Sequence, residues 1–130
     1  MASGGNQLVN PVRWNHMTEI NQWFKAWGNN MPDVSIFPTN GFIVEGVAAG
    51  FIYLTDSSLA IIDCFISNPD SNLETRNHAL NAITEKLLEL AARRHYSIIK
   101  CDTKLEAIKE RALAFGFKPT GSHDSFVKVL

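Results

Sequence analysis

The chain has 130 residues, 45% of them hydrophobic and 19% charged, with a formal net charge of −1. That length suits one domain with its own core, and residues 8–130 read as that domain behind a flexible Gly/Ser/Asn-rich tail over residues 1–7. No basic excess is available to neutralise phosphates, so a nucleic-acid partner is not expected. No apolar run is long enough to span a bilayer, so neither is a membrane.

The first residues lack an apolar h-region, so they do not read as a signal peptide, and a cytoplasmic location is expected. Cys64 and Cys101 both lie in apolar stretches. Two cysteines make no disulfide framework; they read as buried thiols in strands, with a disulfide left open. Arg93, Arg94 and His95 read as favourable charge at the end of a helix.

Residues 8–12 form a candidate first strand, weakened by Pro11. Asn15 offers an N-cap. Met17, Ile20, Phe24 and Trp27 follow at helical spacing, and Gly28 can close the helix. Trp14, Trp23 and Trp27 fall close together here, and are read as packing a helix onto a sheet in preference to a ligand wall. Pro32 and Pro38 mark residues 29–40 as a loop.

Three apolar, β-branched or aromatic segments come next, at residues 41–45, 47–55 and 58–67. Gly46 and then Asp56 and Ser57 punctuate them as tight turns, which predicts an antiparallel meander. The third segment is nearly continuous in apolar character, as suits a central strand covered on both faces.

The strongest helix signal follows. Ser71 and Glu74 have capping-box spacing, and Leu80, Ile83, Leu87 and Leu90 recur on one face, predicting a helix over about 73–94. Residues 96–101 read as a short strand. Thr103 and Glu106 repeat the capping spacing, and Leu105, Ile108, Ala112 and Phe115 form a second stripe closed by Gly116. Residues 117–120 and 125–130 read as two final strands. The order is β-α-βββ-α-β-α-β(β): an α+β mixed sheet with helices on both faces, and a parallel crossover where a helix joins two strands.

This order, with Asn68-Pro69 after the fourth strand, Ala82, Leu87, Leu88, Ala91, Ala92 and Tyr96 along the long helix, and Gly116-Phe117 closing the next, resembles the GNAT (GCN-like N-acetyltransferase) superfamily. The resemblance is tightest over residues 58–130. It is nearest to small divergent members associated with bacteriophage genomes, for which the location would be a host cytoplasm. It implies a GNAT-like sheet, acetyl-CoA or another acyl-CoA as cofactor, transfer of the acyl group to a small-molecule or protein amine, and a homo-oligomer as one assembly state. The alternative is a catalytically inactive GNAT-fold scaffold or interaction protein.

The family's cofactor loop works because a glycine-rich turn at a helix N-terminus aims backbone N–H groups at a pyrophosphate. Aligned on the long helix, its positions fall here on Ala79, Ala82 and Thr84, without glycine. The helix is therefore expected to start near Leu73, where Arg76, Asn77 and His78 are candidate anion contacts or simply solvated first-turn residues. The pantetheine arm would lie along Phe65, Ile66, Ser67 and Asn68. A tyrosine that protonates the leaving thiolate in many members is replaced by Ala112, and Leu105 stands where an Asn often contacts the cofactor. Asp63, the one carboxylate in the fourth strand, is the candidate general base, because an amine must lose a proton to attack. Its bland alternative is an outward strand residue paired with a basic neighbour. Asp63 and Cys64, adjacent in a strand, are expected on opposite faces and so form no triad. His16, His78, His95 and His123 have no metal-ligand spacing. Ser122, His123 and Asp124 read as a hairpin turn.

Overall fold

The computed structural model describes residues 8–130; the tail expected over residues 1–7 lies outside the described residues. Five strands form one sheet in chain order: β1 (Asn10–Pro11), β2 (Asn40–Val44), β3 (Ala48–Leu54), β4 (Leu59–Ser67) and β5 (Ile98–Cys101). The first four are antiparallel neighbours, and β5 lies parallel to β4. Helix α1 (Met17–Ala26) precedes β2, α2 (Leu73–Arg93) carries the chain from β4 to β5, and α3 (Glu106–Ala114) follows β5. The expected α+β sheet is thus the one found.

The sheet separates two cores. On one face Ile52, Ala60 and Ile62 meet Ala79, Ile83 and Leu87 of α2. On the other, Ile43, Phe51 and Ile66 meet Ile20 and Trp23 of α1. Each such Ile or Leu, removed fully from water, contributes about 1.5–3 kcal/mol. Trp23 meets the packing role expected of the tryptophans, whereas Trp14 is 77% exposed.

Several local expectations are corrected. Asn15 does not cap α1; a 3-10 turn over Trp14–His16 leads into it, and His16 Nδ1 accepts from the Arg13 N–H at 2.8 Å. The cap of α2 is Asn72, whose Oδ1 accepts from the Thr75 N–H at 2.8 Å, so the Ser71/Glu74 box is shifted by one residue. Thr103 turns its hydroxyl to the Leu105 N–H, and α3 starts at Glu106 with no side-chain cap. The stripe of α3 buries none of its residues. Residues 117–120 and 125–130 form no strand, and Phe126, Val127 and Val129 stand open to water.

Two irregularities in β4 prepare the site. Phe51 pairs with Asp63 and Ala49 with Ile66, so Cys64 and Phe65 on β4 oppose the single residue Gly50 on β3. This is a β-bulge, and Cys64 takes the left-handed conformation it requires, with φ 61°. Just before the bulge β4 also loses its other neighbour. Its pairing with β5 runs only from Leu59/Ile98 to Ile62/Cys101, so residues 63–67 have no β5 partner.

Candidate functional site

The bulge reverses the expectation that Asp63 and Cys64 face apart. Regular alternation puts Ile62 on the α2 face and Asp63 on the α1 face. The extra residue keeps Cys64 on the α1 face with Asp63, and only Phe65 returns to the α2 side, as the core memberships show. Asp63 and Cys64 therefore line one cleft of about 420 Å³, together with Tyr53, Cys101, Asp102 and Ile36. The cleft opens between the loop after α1 and the ends of β4 and β5.

Asp63 is exposed, and the Cys64 N–H donates to its Oδ1 at 2.7 Å. Among the described residues no Lys, Arg or His forms an ion pair with it, so the charge-paired surface alternative is not what the structure presents. The Tyr53 hydroxyl donates to the Ile36 carbonyl at 2.8 Å and lies 3.7 Å from Cys64 Sγ. Burial holds the Tyr53 phenol far above its ordinary value, reinforced by Cys64 and by the charge of Asp63. Burial likewise raises the thiols of Cys64 and Cys101, and the Asp63 charge pushes both the same way. Both cysteines are free. The cleft thus gathers two carboxylates, Asp63 and Asp102, and three groups whose protonated forms are favoured, Tyr53, Cys64 and Cys101.

A second, smaller cavity of about 20 Å³ lies on the α2 face, lined by Ile62, Thr84, Arg111, Ala112 and Phe117 among others. It shares Phe65, Cys101 and Ile108 with the cleft. The two openings therefore share walls near the point where β4 and β5 part.

The other expected contacts fall in different places. Phe65 lines the gap, and Ile66 is buried in the α1 core. The Ser67 carbonyl accepts from Trp27 Nε1 at 2.7 Å. Asn68 holds its loop: Nδ2 donates to the Gly46 carbonyl at 3.1 Å and Oδ1 accepts from the Asp70 N–H at 3.0 Å. Arg76 turns back from α2, donating through Nη1 to the Pro69 and Ser71 carbonyls, with its guanidinium 5.8 Å from the Trp27 ring centre. Asn77 accepts from Arg111 on α3. Neither Arg76, Asn77 nor His78 lines either opening. Sequence reading passed over Tyr53 and Arg111, and took Cys101 only as a buried strand thiol. Only the polar hydroxyl of Tyr53 in an otherwise apolar segment marked it; Arg111 looked like one more surface charge on a helix.

Among the described residues no three metal-binding side chains come together, and no helix is long and apolar enough to cross a membrane.

No protein-family model matches the chain, and no curated protein matches it in sequence. Solved structures share its fold. AAC(6')-Iy, in complex with the bisubstrate analogue CoA-S-monomethyl-acetylneamine, aligns with a TM-score of 0.66 at 14% identity, over 95% of this chain and 99% of that one. An aminoglycoside acetyltransferase from an uncultured soil metagenomic sample, in complex with sisomicin, aligns with a TM-score of 0.61 at 13% identity, over 95% of each chain. A Trypanosoma brucei acetyltransferase gives 0.60 at 10% identity, over 94% of this chain and 97% of that one. At these identities the likeness is one of fold.

Proposed function

We propose that the chain is an acyl-CoA-dependent N-acyltransferase acting on a small-molecule amine. The observation that carries the reading is the gap at Ile62/Cys101, where parallel strands part and leave the backbone of residues 63–67 without a β5 partner. Such a gap suits a narrow chain bearing amides, which can pair with the freed strand and lie between Phe65, Cys101 and Ile108. The neighbours of like fold support the choice of cofactor, since AAC(6')-Iy is described with CoA and with a CoA-based bisubstrate analogue. They also favour a small amine as acceptor, because the metagenomic enzyme is described with sisomicin.

The cofactor, when bound, supplies an acyl group activated as a thioester. The chain's own residues do the rest. Asp63 Oδ1 is fixed by the Cys64 N–H, and Oδ2 has no protein donor among the described residues. It can take a proton from an amine directly or through one water, the role that typically contributes 10²–10⁴-fold to rate, as an order of magnitude. Tyr53 and the two thiols remain protonated through the neutral range, so they do not compete with Asp63 for that proton. Ala112, on the α2 side of the gap, carries no proton donor.

That alanine, and the unbroken α2 where the family has a glycine loop, favour the second reading, a scaffold that has lost its chemistry. One experiment separates the two. The melting temperature is followed with millimolar acetyl-CoA, and thiol release is then followed with sisomicin and a panel of other amines. A ligand at about a hundredfold excess over Kd stabilises the native state by about 2.7 kcal/mol. A rise in Tm followed by amine-dependent thiol release supports the enzyme. An unmoved Tm sinks it and leaves the scaffold.

A further inference from the structure

Arg111 on α3 is a half-buried cation whose hydrogen-bonded partners among the described residues are neutral. Its Nε donates to Asn81 Oδ1 at 2.9 Å and its Nη2 to Asn77 Oδ1 at 3.2 Å. Among the described residues no carboxylate lies within ion-pair distance of it. Withdrawal from water works against its charge, and no anion offsets this. Asn77 and Asn81 are four residues apart on α2, so they share one face of that helix. Each amide turns its oxygen to Arg111, which leaves its NH₂ group as a further donor. The result is a cluster of donors with one positive charge that no described carboxylate compensates, set between α3 and the first half of α2. It lies at the wall of the small cavity, which shares Phe65, Cys101 and Ile108 with the cleft.

We propose that Arg111, presented by α3 and oriented by Asn77 and Asn81, is the phosphate anchor of the cofactor site. It would take the pyrophosphate of a CoA-type nucleotide in place of a glycine loop. The proposal rests on the acyl-CoA reading. A planar guanidinium can grip phosphate oxygens in pairs, and the small Ala112 beside it leaves the approach from the cavity clear. Helix α2 loses nothing by running unbroken through Ala79, Ala82 and Thr84, because a side chain from the next helix supplies the charge that backbone amides would otherwise supply. The candidate Arg76, by contrast, has its Nη1 engaged by two loop carbonyls.

The test uses the full chain and three probes, CoA, pantetheine and inorganic pyrophosphate, each titrated by calorimetry and thermal shift. Arg111→Gln is expected to weaken CoA roughly ten- to hundredfold while leaving pantetheine, which lacks the phosphates, unchanged. Asn81→Asp keeps an acceptor for Nε but neutralises the cation. It is expected to hold or raise the Tm of the unliganded protein while weakening CoA, a split that a merely structural arginine would not give. If both folded variants bind CoA as the wild type does, the proposal is overturned and the enzyme reading stands. If the wild type binds pyrophosphate through Arg111 but not CoA, the anion site stands and the enzyme reading falls. If the wild type binds none of the three probes, both fall.

Discussion

The ring of Phe65 lies directly over Gly50: a Cβ built on Gly50 would come within 2.5 Å of the Phe65 Cε1 atom and 3.0 Å of Ile83 Cγ2. The bulge explains this closeness. Two residues of β4 oppose Gly50 alone, and the second of them, Phe65, folds over the space that a side chain on β3 would fill. Gly50→Ala is therefore expected to destabilise the protein by about 1–3 kcal/mol, the range for overpacking a tight core. Urea unfolding measures it. Because Phe65 also lines the gap, the double variant with Phe65→Leu should recover part of the loss, and a strictly additive pair would show that the two residues do not press on one another.

In the proposed reaction Asp63 accepts the amine proton. Asp63→Asn preserves an oxygen for the Cys64 N–H and removes the basicity. The expected result is a loss of about 10²-fold or more in transfer rate, with the CoA-induced rise in Tm unchanged. A variant that transfers at the wild-type rate would move the base elsewhere or leave the amine to enter already neutral.

The main architecture was legible in the sequence because its signals are local. Val47 to Leu54 and Leu59 to Ser67 are apolar runs broken by turn residues, and they became β3 and β4 within a residue or two of the expected bounds. Leu80, Ile83, Leu87 and Leu90 repeat at helical spacing and face the sheet. The bulge was not legible. Nothing in Asp63-Cys64-Phe65 announces a left-handed cysteine, since that conformation is imposed by the pairing of Phe51 and Ala49 across the ladder. One extra residue then puts Asp63 and Cys64 on the same face. The last segments failed for a related reason. Phe126, Val127 and Val129 have strand character, but strand character needs a partner edge, and these residues pack against nothing. Arg111 was missed because its meaning depends on its hydrogen bonds to Asn77 and Asn81, 34 and 30 positions away.

Arg76 and Trp27 tie the end of α1 to the start of α2. The guanidinium stands over the indole, and the indole N–H in turn holds the Ser67 carbonyl at 2.7 Å. A cation–π contact at a partly exposed site is worth about 0.5–1 kcal/mol. Arg76→Ala also strips the Pro69 and Ser71 carbonyls of a charged donor, so its total effect should be larger, about 1–2 kcal/mol. The Arg76 and Trp27 double-mutant cycle, read by urea unfolding, is expected to return a coupling of about 0.5–1 kcal/mol. Trp27 fluorescence should shift to the red in Arg76→Ala as the ring meets more water. A coupling of zero would mean that the two side chains merely lie near one another.

The thiols and the phenol of the cleft are expected to lower stability at alkaline pH. Burial raises Cys64 and Cys101 above the ordinary value of 9.0, and raises Tyr53 above its ordinary 10.0. All three are neutral when protonated, so the fold favours the protonated form. Below about pH 9 the folded and unfolded chains both carry these protons, and the groups add no pH dependence. Above it the unfolded chain releases protons that the folded chain still holds, and stability falls as pH rises through the raised folded values. Urea unfolding measured from pH 7 to pH 10.5 should show this decline, and the Cys64→Ala, Cys101→Ala double variant should flatten its first part. Tyr53→Phe should then remove much of what remains near the top of the range. At neutral pH the same elevation keeps thiolate scarce, so iodoacetamide is expected to label both cysteines more slowly in the folded chain than in urea. Rapid labelling at pH 7 would show that the cleft does not hold its thiols protonated, and would place a nucleophile beside Asp63 instead of a donor.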